Sequence, residues 1–206
     1  MAFVDRGFPH VLLPTALFGR HPADIPLAAH PTPVRSVRQK DVARPPVVSA
    51  VTMPLIGADP LAELRSRHLE LPIRGAIRGE LRDSFDETRG STRSHEAIDI
   101  MAPRTTPVLA VEDGTIARLF ESQAGGTTVY QFDPSIRYVY YYAHLERYAE
   151  GLREGQRVQR GQVLGYVGTS GNAPKETPHV HFAIFRLTDK KQWWDGSPID
   201  PYSVLK

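Results

Sequence analysis

The stretch TTVYQFDPSIRYVYYYAH (residues 127–144) decides the fold class. Thr127 to Phe132 and Arg137 to Ala143 are rich in β-branched and aromatic residues, and Asp133-Pro134-Ser135 between them has the chemistry of a turn. That pattern predicts a β-hairpin. If the second strand runs straight through, Tyr138, Tyr140, Tyr142 and His144 share one face, because side chains alternate with period two. Four aromatic or imidazole groups on one face suit the wall of a polar-aromatic groove.

The same signals continue on both sides. Val108 to Val111 and Thr115 to Leu119 flank Asp113-Gly114 and predict a second hairpin. Val158, Gly161 to Val167 and Val180 to Phe185 complete a set of short strands punctuated by glycine and proline. Asp59-Pro60 marks a helix start, with an N-cap aspartate and proline at the first helical position. Leu61, Leu64 and Leu69 form its apolar stripe, and Pro72 is the expected stop. The fold class is mainly β, a compact antiparallel sandwich or barrel-like domain with a short N-terminal helix.

Ten of the eighteen prolines fall in the first sixty residues. Residues 1–57 therefore read as a Pro-rich arm or linker, and residues 58–206 as the folded domain. The formal charge of +2 also comes from the N-terminal part: residues 61–206 carry nineteen basic and nineteen acidic groups. The domain lacks the basic footprint of a nucleic-acid binder, so no nucleic-acid partner is expected. The chain has no cysteine, which excludes disulfides, thiolate metal sites and cysteine nucleophiles. No apolar run reaches the length of a membrane-spanning helix. Asp5, Pro9, His10 and Pro14 make the N-terminus a poor signal peptide.

Histidine placement is the strongest chemical signal. In the strand containing His179-Val180-His181 the two imidazoles project side by side, while Val180, Phe182 and Ile184 point into a core. His95 and Asp99 are four apart, on one helix face or at a loop leading into a strand; Ile98, Ile100 and Met101 favour the loop. Either fragment alone reads first as an ordinary surface pair. Four of the eight histidines (His95, His144, His179 and His181) lie in these motifs, and His10, His21, His30 and His68 lie outside them. A catalytic zinc site has three protein ligands and an open position for water. Two histidines, one aspartate and two spare histidines fit that inventory.

The ordered set His95-x-x-x-Asp99, Tyr142-Ala143-His144-Leu145 and Pro178-His179-Val180-His181-Phe182 resembles the lysostaphin-type (LytM-domain) zinc endopeptidases. Asp113-Gly114-Thr115, Arg160-Gly161-Gln162-Val163-Leu164-Gly165, Val167-Gly168-Thr169-Ser170-Gly171 and Trp193 to Pro201 extend the likeness over about residues 72–202. The resemblance implies one zinc ion on His95, Asp99 and His181, with His144 and His179 as the catalytic pair. Which of the two is base and which stabilises the oxyanion stays open. It further implies hydrolysis of peptide cross-links of peptidoglycan, the C-terminal segment leaning toward D,D-cross-links, in the periplasm, the cell envelope or outside the cell; a monomer is expected. Arg104-Thr105-Thr106 stands where the family often has glycine, a turn difference away from the metal positions. The arm and the loop around Phe85 are candidates for covering the groove.

Three other readings compete. Some family members have lost ligands and regulate other wall hydrolases; here all five positions are present. Residues 154–165 also resemble the hairpin of biotinyl and lipoyl carriers, but the exposed lysine turn is missing. Ser170 lacks the Gly-x-Ser-x-Gly elbow of serine hydrolases.

Overall fold

The protein is described by a computed structural model covering residues 59–89 and 93–206. The arm assigned to residues 1–57 lies outside the described residues. In chain order the elements are α1 (Pro60–Ser66), a 3-10 turn (Arg78–Glu80), β1 (Thr88–Arg89), β2 (Arg93–Ser94), β3 (Ile98–Met101), β4 (Pro107–Leu109) and β5 (Gly114–Ser122). There follow β6 (Gly126–Phe132), β7 (Tyr138–Tyr148), β8 (Arg157–Val158), β9 (Val163–Val167), β10 (His179–Leu187), β11 (Gly196–Ile199) and α2 (Pro201–Leu205).

All strand pairs are antiparallel, in line with the expected fold class. The main sheet runs β11-β10-β7-β6-β5-β8, with β3 beside β10 and β4 reached through β9. β7 is the longest strand. Its first part lies between β6 and β10, and Leu145 to Tyr148 pair with β9. The sheet therefore bends around one core in which Val180, Phe182 and Ile184 are fully buried.

The hairpin at residues 127–144 forms as expected, joining β6 and β7. Its tyrosine face does not. Tyr138, Tyr140 and Tyr142 point into the main core, not toward a groove. Tyrosine is tolerated there because each hydroxyl has a hydrogen-bond partner. Tyr142 donates to Gln131 Oε1 at 2.8 Å, Tyr138 to Glu63 Oε2 at 2.9 Å, and Tyr140 to Glu112.

Two other expectations are corrected. The 108–119 segment is not a hairpin: β4 pairs with β9, whereas β5 pairs with β6 and β8. Ala110 and Val111 are fully buried, so the chain crosses the core there instead of folding back. Gly114 serves close approach, since a Cβ would sit 2.1 Å from the Phe132 carbonyl oxygen. The helix also stops at Ser66, six residues before Pro72. Asp59 caps it as expected, accepting from Leu61 N at 3.0 Å. His68, at φ +49°, then turns the chain into an extended segment that buries Leu69.

A charged cluster fixes α1 to the sheet. Arg67 donates to Glu63 at 2.6 Å, Glu112 at 2.8 Å and Asp133 at 3.1 Å. Asp133 also closes the β6–β7 turn, accepting from the backbone N–H of Arg137 at 2.7 Å and Tyr138 at 2.8 Å. Burial pushes the Glu63 and Asp133 carboxyls up, but their hydrogen bonds outweigh it and hold both below the usual carboxylate range. Arg67 and Tyr138 act on Glu63; Ser135 and the two backbone N–H groups act on Asp133.

A carboxyl whose folded pKa is depressed contributes stability above its unfolded pKa and loses it as pH falls through the folded one. Thermal stability should accordingly fall as pH drops below about 4. Asp133→Asn should cost about 1–3 kcal/mol near neutrality and make that acid loss shallower. Melting curves between neutrality and acid pH test this; an unchanged acid slope in the variant would remove Asp133 from the role.

Candidate metal centre

The outward face of β10 presents His179 and His181. Antiparallel register sets Met101 opposite His179 and Asp99 opposite His181 on β3, and Ala143 opposite His181 on β7. Directly opposed residues share a face, which brings the Asp99 carboxylate to the His181 ring. His95 arrives from the loop before β3, as the apolar run Ile98, Ile100, Met101 suggested. That loop is pinned by His95 N–H to the Glu87 carbonyl at 3.0 Å and Glu96 N–H to the Phe85 carbonyl at 2.9 Å. Glu96 turns the chain at φ +54°. The segment around Phe85 thus buttresses the loop.

His95 Nε2, His181 Nδ1 and Asp99 Oδ1 form a triangle with edges of 2.9, 3.1 and 3.2 Å. One shared proton cannot satisfy three edges, whereas a central cation can. Ligands about 2.0–2.2 Å from a tetrahedral ion lie about 3.3–3.6 Å apart, so small adjustments would convert the triangle into three ligands. His95 Nδ1–H donates to the Ser84 carbonyl at 2.9 Å, which directs the Nε2 lone pair inward. Burial pushes Asp99 up, but the adjoining His181 and His95 rings outweigh it and hold the carboxyl well below its usual range. Burial pushes His181 down, against the pull of Asp99. An ionised carboxylate and neutral imidazoles are the forms that bind a metal. Among the described residues this is the one group of three or more such side chains able to hold an ion.

His144 and His179 stand beside the triangle, their ring centroids 4.9 Å apart, and His144 lies 5.8 Å from the His181 ring. His144 reaches this face through a bulge. Thr127 pairs with Leu145 while Val129 pairs with Tyr142, so β7 carries one extra residue there. His144 adopts φ +61°, and the alternation resets so that Leu145 returns to the core. The Nδ1–H of His144 donates to the Ser170 carbonyl at 2.9 Å, and that of His179 to the Thr177 carbonyl at 2.7 Å. A carbonyl only accepts, so the neutral form of each ring presents Nε2 as an acceptor. Burial pushes His144 down to about 4, the Ser170 bond partly opposing it.

These residues line a cleft of about 430 Å³, with Tyr141 and Ala143 on its wall. Tyr141 meets His181 edge-on at 5.9 Å. Tyr141, Ser84, Ser170 and Thr177 were not identified from sequence as site residues. Three of them act through backbone carbonyls, which leave no side-chain signature, and Tyr141 was hidden by assigning the wrong strand face.

A mainly antiparallel β domain with a His–Asp–His group able to hold a metal ion defines the class. Residues 93–201 match Peptidase family M23, more than half of the chain, and the chain belongs to that family. It is 32% identical over 151 residues to the L-Ala–D-Glu endopeptidase of Bacillus subtilis, covering 70% of this chain and 44% of that protein. It is 33% identical over 93 residues to the peptidoglycan DD-endopeptidase ShyC of Vibrio cholerae, covering 45% and 20% respectively. The chain therefore spans less than half the length of these two relatives. The catalytic domain of lysostaphin from Staphylococcus simulans shares the fold, with a TM-score of 0.51 at 24% identity over 60% of this chain and 89% of that one.

The cleft rim depends on two touching glycines. Gly126, at φ +65°, would place a Cβ 2.2 Å from Ser170 Oγ, and Gly171, at φ +68°, would place one 2.4 Å from the Ala124 carbonyl oxygen. This contact holds the Ser170 carbonyl against His144. Gly126→Ala should destabilise the domain by about 1–3 kcal/mol and speed amide exchange at residues 169–172. Wild-type melting and exchange in that variant would show that the contact is dispensable.

Proposed function

We propose that this domain is a zinc endopeptidase that cuts peptide cross-links of peptidoglycan, with His95, Asp99 and His181 holding the metal. The observation that carries the reading is the convergence of those three donor atoms beside two imidazoles whose Nε2 atoms accept. The names of the Bacillus and Vibrio relatives support the substrate class, and the Vibrio name favours the D,D-cross-link.

A zinc ion held by His95, Asp99 and His181 would supply an acidified water and a Lewis acid for the scissile carbonyl. The protein's own part is orientation and proton movement. The carbonyls of Ser170 and Thr177 hold His144 and His179 with Nε2 directed as a base. Whichever ring takes the attacking proton becomes a donor at Nε2. It can then stabilise the developing oxyanion or return the proton to the leaving amine. Tyr141 and Ala143 wall the cleft so that an extended peptide lies across the β10 face.

The substrate places this work in the periplasm or elsewhere in the cell envelope. Among the described residues no helix is long and apolar enough to cross a membrane. A single copy carries all five proposed site residues, in keeping with action as a monomer.

Purified peptidoglycan sacculi incubated with zinc-loaded protein should release soluble peptides whose masses identify the bond. Release should stop on chelation and return with zinc. Metal uptake without release would instead support a regulator of other wall hydrolases. His181→Ala should lose zinc and turnover together. His144→Ala should keep stoichiometric zinc while turnover falls roughly 10²–10⁴-fold; full turnover in that variant would end its assignment as an acid–base residue.

A further inference from the structure

One loop supplies both carbonyls that orient the spare imidazoles of the cleft. It joins β9 to β10 over residues 168–178, and carries Ser170, which holds His144, and Thr177, which holds His179. Its two halves are secured differently. The first half is bonded to the β5–β6 turn. Thr127 N–H donates to Ser170 Oγ at 3.0 Å, and Asn172 N–H donates to the Ala124 carbonyl at 3.0 Å. The close approaches of Gly126 to Ser170 and of Gly171 to Ala124 add to that hold.

The second half, residues 173–177, is held by much less. Thr177 N–H donates to the Pro174 carbonyl at 3.3 Å, which closes a turn within the segment. Apart from the bond to the His179 ring, one hydrogen bond among the described residues ties that turn to the rest of the fold. Lys175 Nζ donates to the Thr169 carbonyl at 3.1 Å. Thr169 is a fixed point: it is 2% exposed and follows Gly168, which bridges to His179. The position of Thr177 matters because two acceptors compete for the His179 proton. The Thr177 carbonyl lies 2.7 Å from Nδ1, and Asp99 Oδ1 lies 3.8 Å from Nε2. With the carbonyl in place the proton stays on Nδ1, and Nε2 faces the cleft as an acceptor. With the carbonyl withdrawn, the proton is free to move to Nε2, and the acceptor is lost.

We infer that Lys175 is a positioning residue: it staples the Pro174–Thr177 turn to Thr169 and thereby fixes the tautomer of His179. The bond joins an ammonium to a carbonyl, so it is charge-assisted and stronger than a neutral one. Lys175 acts from outside the cleft, whose lining in this loop is Asn172, Ala173 and Pro174. His144 does not depend on it, because Ser170 has anchors of its own on the β5–β6 turn. The staple therefore acts on one of the two imidazoles and leaves the other alone. The tautomer assignment stands on this geometry; its effect on turnover rests on the endopeptidase reading above.

The test compares the zinc-loaded full-length chain with Lys175→Met, Lys175→Arg and Glu176→Gln, the last an exposed neighbour in the same turn. Imidazole ¹⁵N spectra at about pH 8, where the rings are neutral, read the tautomers of His144 and His179 directly. Soluble cross-linked peptidoglycan fragments give kcat and KM. In Lys175→Met the His179 signals should leave the Nδ1–H pattern for a mixture, while those of His144 stay as in the wild type. Zinc content should not change. kcat should fall roughly threefold to tenfold with KM unchanged. Lys175→Arg keeps a charged donor and should restore both the spectrum and kcat, and Glu176→Gln should match the wild type. An unshifted His179 in Lys175→Met would overturn the staple. So would equal changes in His144 and His179, or the same change in Glu176→Gln, since either would mean a loop that has merely loosened. If His179 shifts selectively but kcat does not, the staple stands and the role of His179 in turnover fails. If the wild type cuts none of the fragments, the spectra alone decide the staple and the endopeptidase reading fails separately.

Discussion

The pairing of β10 with β3 on one side and β7 on the other is the constraint from which the site follows. It sets His181 opposite Asp99 and Ala143 and turns Val180, Phe182 and Ile184 inward. A slip of one residue would exchange the faces, burying two imidazoles and exposing three large apolar side chains. Burial of those side chains is worth about 1.5–3 kcal/mol each, so the register resists slippage strongly. The relative placement of His181 and Asp99 is thus secured by hydrophobic burial on the opposite side of the same strand. His95 enters by another route, through a loop held by backbone hydrogen bonds to the segment around Phe85.

The proton positions are set by the same economy of means. Three imidazoles at the site donate Nδ1–H to backbone carbonyls, those of Ser84, Ser170 and Thr177. A carbonyl cannot exchange roles with its donor, so each ring is locked more firmly than a side-chain partner would lock it. The consequence differs by position. For His95 the locked tautomer turns a lone pair toward the triangle. For His144 and His179 it leaves an acceptor facing the cleft.

Much of this was legible in the sequence, and the failures have physical causes. The N-cap at Asp59, the 127–144 hairpin, the loop-to-strand entry of His95 and the two faces of the His179–Phe185 strand were all readable. Each rests on local chemistry or on strict alternation. The tyrosine face failed because alternation held only as far as Ala143. The bulge at His144 inserts one residue, so counting back from the histidine assigned Tyr138, Tyr140 and Tyr142 to the wrong side. A non-glycine residue at positive φ carries no warning in its letter. Asp113-Gly114 misled for a related reason: glycine was needed there for contact with Phe132, and only tertiary packing reveals that. The carbonyls that orient the imidazoles were invisible because every residue has one.

The bulge also explains how the molecule reconciles a full core with a crowded polar cleft. Without it, strict alternation from Tyr142 would turn His144 into the core and Leu145 toward the cleft. With it, Leu145 fills the core while His144 stands beside His179 and His181. The strained backbone costs on the order of 1–3 kcal/mol, and the surroundings fix it by bonding the His144 N–H to the Gly125 carbonyl at 2.8 Å. That carbonyl belongs to the glycine turn that packs on Ser170, whose own carbonyl holds the His144 ring. Backbone and side chain of one residue are therefore clamped by two loops that clamp each other. The tight Gly126–Ser170 and Gly171–Ala124 approaches are the condition for that mutual clamp, because a Cβ at either glycine would separate the loops and free the ring.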